Sequence, residues 1–332
     1  IGEGVKTKYI TCESGRDEVN TVLEEIKKLY NEGYDYKEIG ILYRTNGQSR
    51  LLEEGFLKAN IPYNVVGAYY FYQRKEIKDL LSYLKLISNQ NDDIALRRVI
   101  NEPKRKIGES TINRLESEAK TQGISMFDAI TGGRELGFKE IILDIKKAAE
   151  NLSLTELVSY VLEKSGMLAE LQSEKSLENE LRLENLEEFK SVTASFEERT
   201  GSVNLNDFLE EISLVADMSE HKEEKDAVTL MTIHSAKGLE FSCVFLVGME
   251  EGIFPHQNSL YNEKEVEEER RLCYVGITRA KKRLFITNSR RRILYGHEQM
   301  NPPSRFIKEI NPELLEVIDN RLNIKNMFHQ SS

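Results

Sequence analysis

A short polar loop between two apolar runs carries side chains of the types that most often bind ligands or take part in catalysis. The runs cover residues 228–233 and 243–247, and the loop between them contains His234, Lys237 and Glu240. Ligands of α/β proteins commonly bind at the carboxyl ends of parallel strands, so this loop is typical of the active edge of such a sheet. The residues alone are equally compatible with a polar loop that only joins two strands.

Charged residues are distributed unevenly along the chain. The formal net charge is −10, from 46 Lys and Arg against 56 Asp and Glu. Residues 170–224 contain 16 acidic and 5 basic residues, a net of −11, so the remainder is close to neutral at +1. Within that remainder, residues 281–308 contain eight basic residues against one acid, Glu298. A basic stripe of this kind can bind a polyanion despite the net charge, although a single cluster is usually only solvated surface.

Apolar periodicity predicts two kinds of structure. Strand and helix signals alternate before Gly67 and again after residue 228, which favours an α/β domain with a parallel sheet. From Phe71 to about Leu214 the apolar residues recur at helical spacing, which predicts an all-α domain inserted into the α/β domain. The predicted strands are 7–12, 39–43, 61–66, 228–233, 243–247 and 284–287. The predicted helices of the α/β part are one that is capped by Ser14 and ends at Gly33, a second at 51–59 and a third at about 263–275.

Several long segments resemble motifs of superfamily 1A DNA helicases of the UvrD/PcrA/Rep group. TIHSAKGLEF, followed by FLVGMEEGIFPH and then EEERRLCYVGITRAKKRL, resembles motifs V and VI, and ILYRTNGQSR at 41–50 resembles motif IV. The resemblance implies a RecA-like second motor domain (2A) interrupted by an inserted all-α domain (2B). The implied limits are 1–70 for the first part of 2A, 71–224 for 2B, 225–312 for the second part of 2A and 313–332 for a linker or tail.

A helicase motor needs a GxxxxGK[ST] phosphate cradle and an acidic pair that holds Mg²⁺. This sequence has no Gly-Lys dipeptide, and its one Asp-Glu pair, Asp17-Glu18, is interpreted as charge at a helix N-terminus. The resemblance therefore implies that a complete enzyme uses ATP and Mg²⁺, with the Mg²⁺ ligands on a missing N-terminal half (domains 1A and 1B). This fragment alone is expected to be inactive.

On the nucleotide side, the resemblance assigns Arg279 as a catalytic arginine finger that reaches the γ-phosphate. A planar guanidinium can neutralise the charge that spreads over the equatorial oxygens during phosphoryl transfer. Without the resemblance, a structural arginine paired with one of the glutamates at 267–269 is favoured. The other implied ATP-binding residues are Lys237, Gly238, whose backbone could approach oxygens closely, and Glu240, whose carboxylate could accept from ribose hydroxyls.

On the DNA side, the resemblance implies two surfaces. Tyr295 also carries a separate argument, because an aromatic ring shortly after the basic run 290–292 suits base stacking, worth ~1–3 kcal/mol per base, whereas core packing is the alternative. A lone histidine such as His234 is more often structural, and a basic loop such as 101–111 can be plain surface. Lys106 stands where the family usually has glycine, and its charge could replace a close backbone contact to phosphate. The implied single-strand contacts are Arg44, Asn46, Thr232, His234, His256 and Tyr295, and the implied duplex contacts are Lys104, Arg105, Gly108 and Thr111.

The cysteines and histidines predict neither a disulfide framework nor a metal site. Cys12, Cys243 and Cys273 are scattered and odd in number, and the five histidines do not cluster with them. A reducing cytoplasm is therefore the expected location. No apolar run approaches ~20 residues, so no transmembrane helix is expected, and no secretory leader is visible at the N-terminus.

The sequence is thus interpreted as the 2A–2B half of a 3′-to-5′ DNA helicase. Its expected partners are single-stranded DNA, single-strand/duplex junctions and the missing N-terminal half, and protein partners stay open. One alternative is the helicase part of a recombination helicase–nuclease resembling RecB or AddA. Another is a non-catalytic DNA-binding module with a borrowed motor fold, in which Arg279 has no obvious use.

Overall fold

The computed structural model describes residues 4–218 and 224–320, and the chain divides into two compact units. The first unit gathers Ile1–Phe71, Met218–Ile293 and Glu298–Ser332. The second consists of Tyr72–Asp217 and Leu294–His297. The predicted domain limits at 70, 224 and 312 stay predictions.

The first unit is built on an eight-stranded, mostly parallel sheet with flanking helices, which confirms the expected RecA-like α/β class. Its strands are β1 Thr7–Ser14, β2 Ile39–Tyr43, β3 Tyr63–Val66, β4 Val228–Thr232, β5 Phe241–Leu246, β6 Ala280–Leu294, β7 His297–Gln299 and β8 Leu315–Asp319. The strand order is β3-β4-β2-β5-β6-β1-β8, and β7 pairs with β6 off this path. All six neighbouring pairs along the path are parallel.

Burial on both faces explains why the central strands are almost continuously apolar. All five residues of β2 are buried, and in β5 only Ser242 is not. Helices that cover both faces of a parallel sheet produce this pattern, whereas a half-exposed strand would alternate.

The described chain contains twelve α-helices. They are α1 Gly15–Asn31, α2 Ser49–Ala59, α3 Lys75–Ser88, α4 Asp93–Val99, α5 Glu109–Gln122, α6 Met126–Ala129, α7 Glu135–Ala148, α8 Leu154–Lys164, α9 Met167–Ser173, α10 Leu177–Thr200, α11 Leu205–Met218 and α12 Glu263–Ile277. Nine of them, α3 to α11, succeed one another between residues 75 and 218 without an intervening strand. The identity of this helical stretch as a 2B domain stays a prediction.

Helix α1 begins as the sequence predicts. The Ser14 hydroxyl accepts a hydrogen bond from the backbone N–H of Asp17 at 3.2 Å, and the Asp17 carboxylate accepts the backbone N–H of Ser14 at 3.1 Å. This reciprocal capping box satisfies two of the helix's unpaired donors. The helix ends at Asn31, and Gly33 follows with a φ of +97°.

The chain after Pro312, interpreted from the sequence as a linker or tail, contributes a strand to the sheet. Leu315–Asp319 forms β8, which pairs in parallel with β1 and extends the sheet at that edge. The alternation Leu-Glu-Val-Ile-Asp is too short and too polar to predict a strand, and the pairing with β1 supplies what the local sequence lacks. Residues 321–332 of the predicted tail lie outside the described part.

Helix α12 packs closely against the sheet. Its buried residues include Val266, Cys273 and Gly276. A side chain at Gly276 would meet Leu246 Cδ1 at 3.2 Å and Ile233 Cγ2 at 3.5 Å. The glycine therefore allows the last turn of α12 to lie against β5 and the end of β4, and this contact fixes the position of the residues that follow the helix.

Candidate functional site

The polar loop at 233–240 connects two opposite edges of the sheet. Strands β4 and β5 are both parallel to β2, so the loop leaves the carboxyl end of β4 and returns to the amino end of β5. His234 therefore lies at the carboxyl edge, whereas Glu240 lies at the amino edge. The single active edge expected from the sequence is thus wrong, because a crossover between parallel strands must run back along the sheet.

Arg279 lies at the amino edge, between the end of α12 and the start of β6. Its Nε donates to the carbonyl of Val275 at 3.0 Å, its Nη1 to the carbonyl of Leu239 at 3.1 Å and its Nη2 to the Thr278 hydroxyl at 3.1 Å. The Arg279 carbonyl in turn accepts the backbone N–H of Phe241 at 2.9 Å. Arg279 thus joins the last turn of α12 to the loop at 233–240.

The glutamates considered as partners of Arg279 are occupied by other arginines. Glu267 pairs with Arg270, Glu268 pairs with Arg271 and Glu269 pairs with Arg44. Within residues 4–218 and 224–320, no carboxylate forms a salt bridge with Arg279, which donates to two carbonyls and a hydroxyl. The structural ion pair favoured from the residues alone is therefore not formed.

The other residues expected to face ATP lie along the same loop. Gly238 has a φ of +89° and open space around its Cα, and Lys237 is exposed. Glu240 forms an exposed salt bridge with Lys281 at 3.2 Å. A surface pair of this kind is worth only ~0–1 kcal/mol, so a ligand can displace it at little cost.

At the carboxyl edge, a buried carboxylate joins two of the residues expected to contact single-stranded DNA. Nε of Arg44 donates to both oxygens of Glu269 at 3.0 Å, and Nη2 donates to Oε1 at 2.7 Å. Oε2 also accepts the backbone N–H of His256 at 3.0 Å. Arg44 follows β2, His256 follows β5, and Glu269 is 5% exposed on α12.

His234, from the loop after β4, belongs to the same electrostatic neighbourhood. Burial lowers the pKa of His234 below its usual range, the Arg44 charge lowers it further, and Glu269 opposes the shift. The pKa of His256 is lowered for the same reasons in the same order. Both imidazoles are therefore neutral at pH 7 and can accept or donate hydrogen bonds without adding charge.

Thr232 is the last residue of β4, and Asn46 lies in the turn that follows β2. The Thr232 hydroxyl is 3.0 Å from the Ser235 hydroxyl and accepts the Ser235 backbone N–H at 3.3 Å. Asn46 begins a short 3-10 helix whose Gln48 side chain accepts the backbone N–H of Arg44 at 2.9 Å. The structure thus brings Arg44, Thr232, His234 and His256 to one edge, and their contacts to DNA stay predictions.

The basic stripe at 281–308 is largely neutralised by distant acids. Six of its eight basic residues form salt bridges within the first unit, and Lys282 lies over the ring of Tyr34, 5.4 Å from its centroid. The pairs are Lys281–Glu240, Arg283–Glu32, Arg290–Glu13, Arg291–Glu13 and Arg291–Glu298, Arg292–Glu18 and Arg292–Glu250, and Arg305–Glu251. The stripe is therefore much less positive than its sequence indicates.

Tyr295 lies in the second unit, beside acidic residues rather than in a basic track. Burial raises the pKa of its hydroxyl, and the charges of Glu184, Glu188 and Glu187 raise it further. The next residue, Gly296, donates its backbone N–H to the Ser191 hydroxyl at 3.2 Å. The half-buried ring thus has the surroundings of the packing alternative in this conformation, and base stacking by Tyr295 stays a prediction.

The segment at 101–111 separates into structural and exposed residues. Arg105 donates to the carbonyls of Val99, Pro103 and Ser165 and to the Tyr83 hydroxyl. These bonds tie Arg105 to the fold, and its expected contact with duplex DNA stays a prediction. Lys104 is exposed and remains available for that role.

Lys106 and Gly108 differ in backbone conformation and in their position relative to α5. Lys106 has a φ of +59°, a left-handed conformation that glycine adopts without strain. Gly108 is the N-cap of α5, and no side chain caps that helix end. Thr111 lies in the first turn, where its backbone N–H bonds to the Gly108 carbonyl at 3.0 Å.

Sequence reasoning missed two sets of buried charges. Glu269 shares the buried face of α12 with Val266 and Cys273, and an acid on an apolar face is a signal for a buried partner. Glu18, interpreted as charge at a helix N-terminus, is buried and pairs with Arg292, which also binds Glu250 at 2.8 Å. Glu18 also accepts the backbone N–H of Gly248 at 2.9 Å, so this triad holds the loop that leads to His256.

The mostly parallel sheet with flanking helices, which holds Arg279 at its amino edge and the Arg44–Glu269–His256 cluster at its carboxyl edge, is a RecA-like α/β domain. Residues 1–291 match the UvrD-like helicase C-terminal domain, and the chain belongs to that family. The resemblance to the UvrD/PcrA/Rep helicases is thereby confirmed.

Curated relatives of this chain are named as helicases. This chain is 49% identical over 328 residues to the ATP-dependent DNA helicase PcrA of Staphylococcus epidermidis, and 48% identical over 328 residues to that of Staphylococcus aureus. Each alignment covers 94% of this chain and 45% of the relative, so the chain spans less than half the length of these proteins.

The described residues also bear on metal binding and on membrane insertion. No group of three or more His, Cys, Asp or Glu side chains in that part of the chain is placed to hold a metal ion. No helix there combines the length and apolar character needed to cross a membrane.

Proposed function

We propose that this chain is the second motor half of a 3′-to-5′ ATP-dependent DNA helicase. In this function it supplies an arginine finger, part of the track for single-stranded DNA and a helical domain that contacts duplex. Membership of the UvrD-like helicase family and the names of the relatives support the proposal. Hydrolysis requires a first motor half that carries the phosphate cradle and the Mg²⁺ ligands.

The observation that carries the proposal is the pairing of Arg279. A guanidinium that bonds two backbone carbonyls and a hydroxyl keeps its full charge without a carboxylate counterion. It lies beside Gly238 and Glu240 on a loop open to solvent. A cation held in this way suits a mobile anion, because no fixed ion pair has to be broken when the anion arrives.

The residues at the amino edge fit one side of a bound nucleotide. ATP supplies the γ-phosphoryl group, whose negative charge Arg279 would neutralise as the bond to the leaving oxygen breaks. The open backbone at Gly238 allows a close approach, and Glu240 can exchange its surface pair with Lys281 for a ribose hydroxyl. The DNA residues lie at the opposite edge, so one loop joins the two sites.

Replacing Arg279 in the complete helicase separates catalysis from DNA binding. Arg279→Ala is expected to lower DNA-stimulated ATP turnover by ~10³ or more, since a finger acts on charge that develops in the transition state. Affinity for single-stranded DNA without nucleotide is expected to stay unchanged. The measurement is steady-state phosphate release at saturating DNA and Mg²⁺-ATP, with a nucleotide-free binding titration beside it.

Arg279→Lys is the matched variant, and it is expected to restore little turnover because an ammonium lacks the planar fork. If Arg279→Ala keeps turnover within about threefold of the unmodified enzyme, far inside the expected loss, Arg279 is structural and the finger is refuted.

A further inference from the structure

Glu269 contacts two different loops and not only neighbouring residues of its own helix. Its two carboxylate oxygens bind the guanidinium of Arg44, from the loop after β2, and the backbone N–H of His256, from the loop after β5. At 5% exposure the carboxylate is removed from water. One side chain of α12 therefore sets the position of two loops at the DNA edge of the sheet.

The same helix carries the nucleotide edge. Glu269 lies eight residues before Ile277, the last residue of α12, which is about 12 Å along the axis at 1.5 Å per residue. Arg279 follows two residues later and is tied back to the final turn through the Val275 carbonyl at 3.0 Å. Helix α12 is continuous and contains no proline between these points, so it can transmit a displacement as a rigid element.

We propose that Glu269 is a positioning residue that couples DNA contact at Arg44 and His256 to the placement of Arg279. The inference rests on the proposed function and deepens it, because it names the route by which DNA stimulates hydrolysis. A strand phosphate is an anion that competes with Glu269 for the donors of Arg44. A buried carboxylate cannot keep its charge without partners, so Glu269 must move with Arg44 when the phosphate binds.

The competition is geometrically possible without a collision of like charges. Glu269 accepts from Nε and Nη2 of Arg44, and its bonds do not use Nη1. The side chain of Arg44 is 20% exposed, against 6% for that of Glu269. A phosphate can therefore reach the guanidinium from the solvent side while Glu269 holds it from the helix side. Coupling arises because both anions share one cation.

A fluorescence experiment on the chain itself tests the route, since the sequence contains no tryptophan. Tyr274 is 69% exposed on α12, close to Arg279, so Tyr274→Trp introduces a single reporter at the nucleotide end of the helix. Single-stranded oligothymidylate is expected to shift the emission of this variant, with a midpoint that matches binding measured by anisotropy of a labelled oligothymidylate.

Adding Glu269→Gln to the reporter chain is expected to abolish the emission shift. Both chains are compared at saturating oligothymidylate, with occupancy checked by anisotropy, so that weaker binding is not mistaken for lost coupling. Glu268→Gln is the matched control, because it removes the same charge one residue away from an exposed pair with Arg271. That control is expected to keep the shift. In the complete helicase, Glu269→Gln is expected to lose at least about tenfold in DNA stimulation of turnover, whereas Glu268→Gln keeps it.

The outcomes separate this inference from the proposed function. A chain that binds no oligothymidylate contradicts the DNA function itself. A chain that binds it without an emission shift, or with an equal shift after Glu269→Gln, overturns only the coupling. If Glu269→Gln does not fold, Glu269→Asp keeps the charge but withdraws the carboxylate by one methylene. It is then expected to reduce the shift, and an undiminished shift overturns the coupling.

Discussion

The guanidinium of Arg105 donates to carbonyls at the end of α4, in its own loop and directly after α8. Nη1 bonds the carbonyls of Val99 and Pro103, and Nη2 bonds the Ser165 carbonyl at 2.6 Å and the Tyr83 hydroxyl at 2.7 Å. A buried acceptor that loses its charged donor destabilises the folded state, because it has given up its bonds to water and gains none in return. Arg105 therefore stabilises the segment that carries Lys104, and its contact with duplex DNA stays a prediction.

Two single substitutions in the helical unit distinguish these roles. Arg105→Ala is expected to lower the free energy of unfolding by about 2–4 kcal/mol, because several acceptors lose a charged donor. Lys104→Ala, one residue away and exposed, is expected to leave stability within about 0.5 kcal/mol and to weaken duplex binding. Urea denaturation and duplex titrations measure the two effects. Equal stability of the two variants would show that Arg105 is as dispensable as its neighbour.

At the scale of elements, β8 protects an edge that would otherwise be open. It pairs with β1 from Thr7 to Thr11, and the backbone N–H of Asn320 adds a bond to the Thr11 carbonyl at 3.0 Å. An unpaired edge of a parallel sheet exposes a row of donors and acceptors that can pair with other chains. Strand β8 shields that row on β1, and it leaves Glu316 and Val317 exposed at the new edge.

Truncation tests this contribution. A chain that ends at Leu314 is expected to unfold at lower urea concentration than the full chain. Its free energy of unfolding should fall by about 1 kcal/mol for each backbone hydrogen bond lost. It is also expected to aggregate more readily during refolding. A chain that ends at Asn320 is the control, since it keeps all of β8. Identical urea midpoints for the two truncated chains would mean that β8 contributes nothing to the sheet.

Elements were more predictable from the sequence than the surroundings of the site. Apolar runs located β2, β4 and β5, because burial on both faces leaves a local signature. Arg44 and Tyr295 could be placed after strands, but their surroundings could not be predicted. The carboxylate that binds Arg44 is 225 residues away, and the glutamates beside Tyr295 come from α10. Contacts between distant segments leave no periodicity in the sequence.

For DNA binding by the whole molecule, the pairing of individual charges matters more than the net charge. The acids that neutralise the stripe at 281–308 come from β1, from α1 and the residues that follow it, and from the loops that surround β5. Exposed pairs of this kind exchange readily, but each basic residue that is already paired releases fewer counterions when it meets a phosphate. DNA binding by this chain should therefore depend less on salt than its basic content indicates.

The salt dependence gives a number to this expectation. If all eight basic residues of the stripe met single-strand phosphates, the slope of log affinity against log salt would be about −5 to −6. With six of the eight paired, we expect a slope of about −1 to −2. Anisotropy titrations with oligothymidylate at several salt concentrations measure it. A slope near −5 would show that the internal pairs open completely on binding.

The parallel pairing of β1 also has a consequence for the order in which the chain folds during synthesis. Tyr9 has Ile286 and Val317 as its register partners, so β1 is synthesised long before either of the strands that pair with it. The nine helices between residues 75 and 218 depend largely on contacts close in sequence, which form quickly, whereas pairings across long loops are slow. All nine helices are therefore synthesised when only β1, β2 and β3 of the eight strands have been made. Until residues 315–319 leave the ribosome, β1 carries an open edge that chaperones or neighbouring nascent chains can occupy.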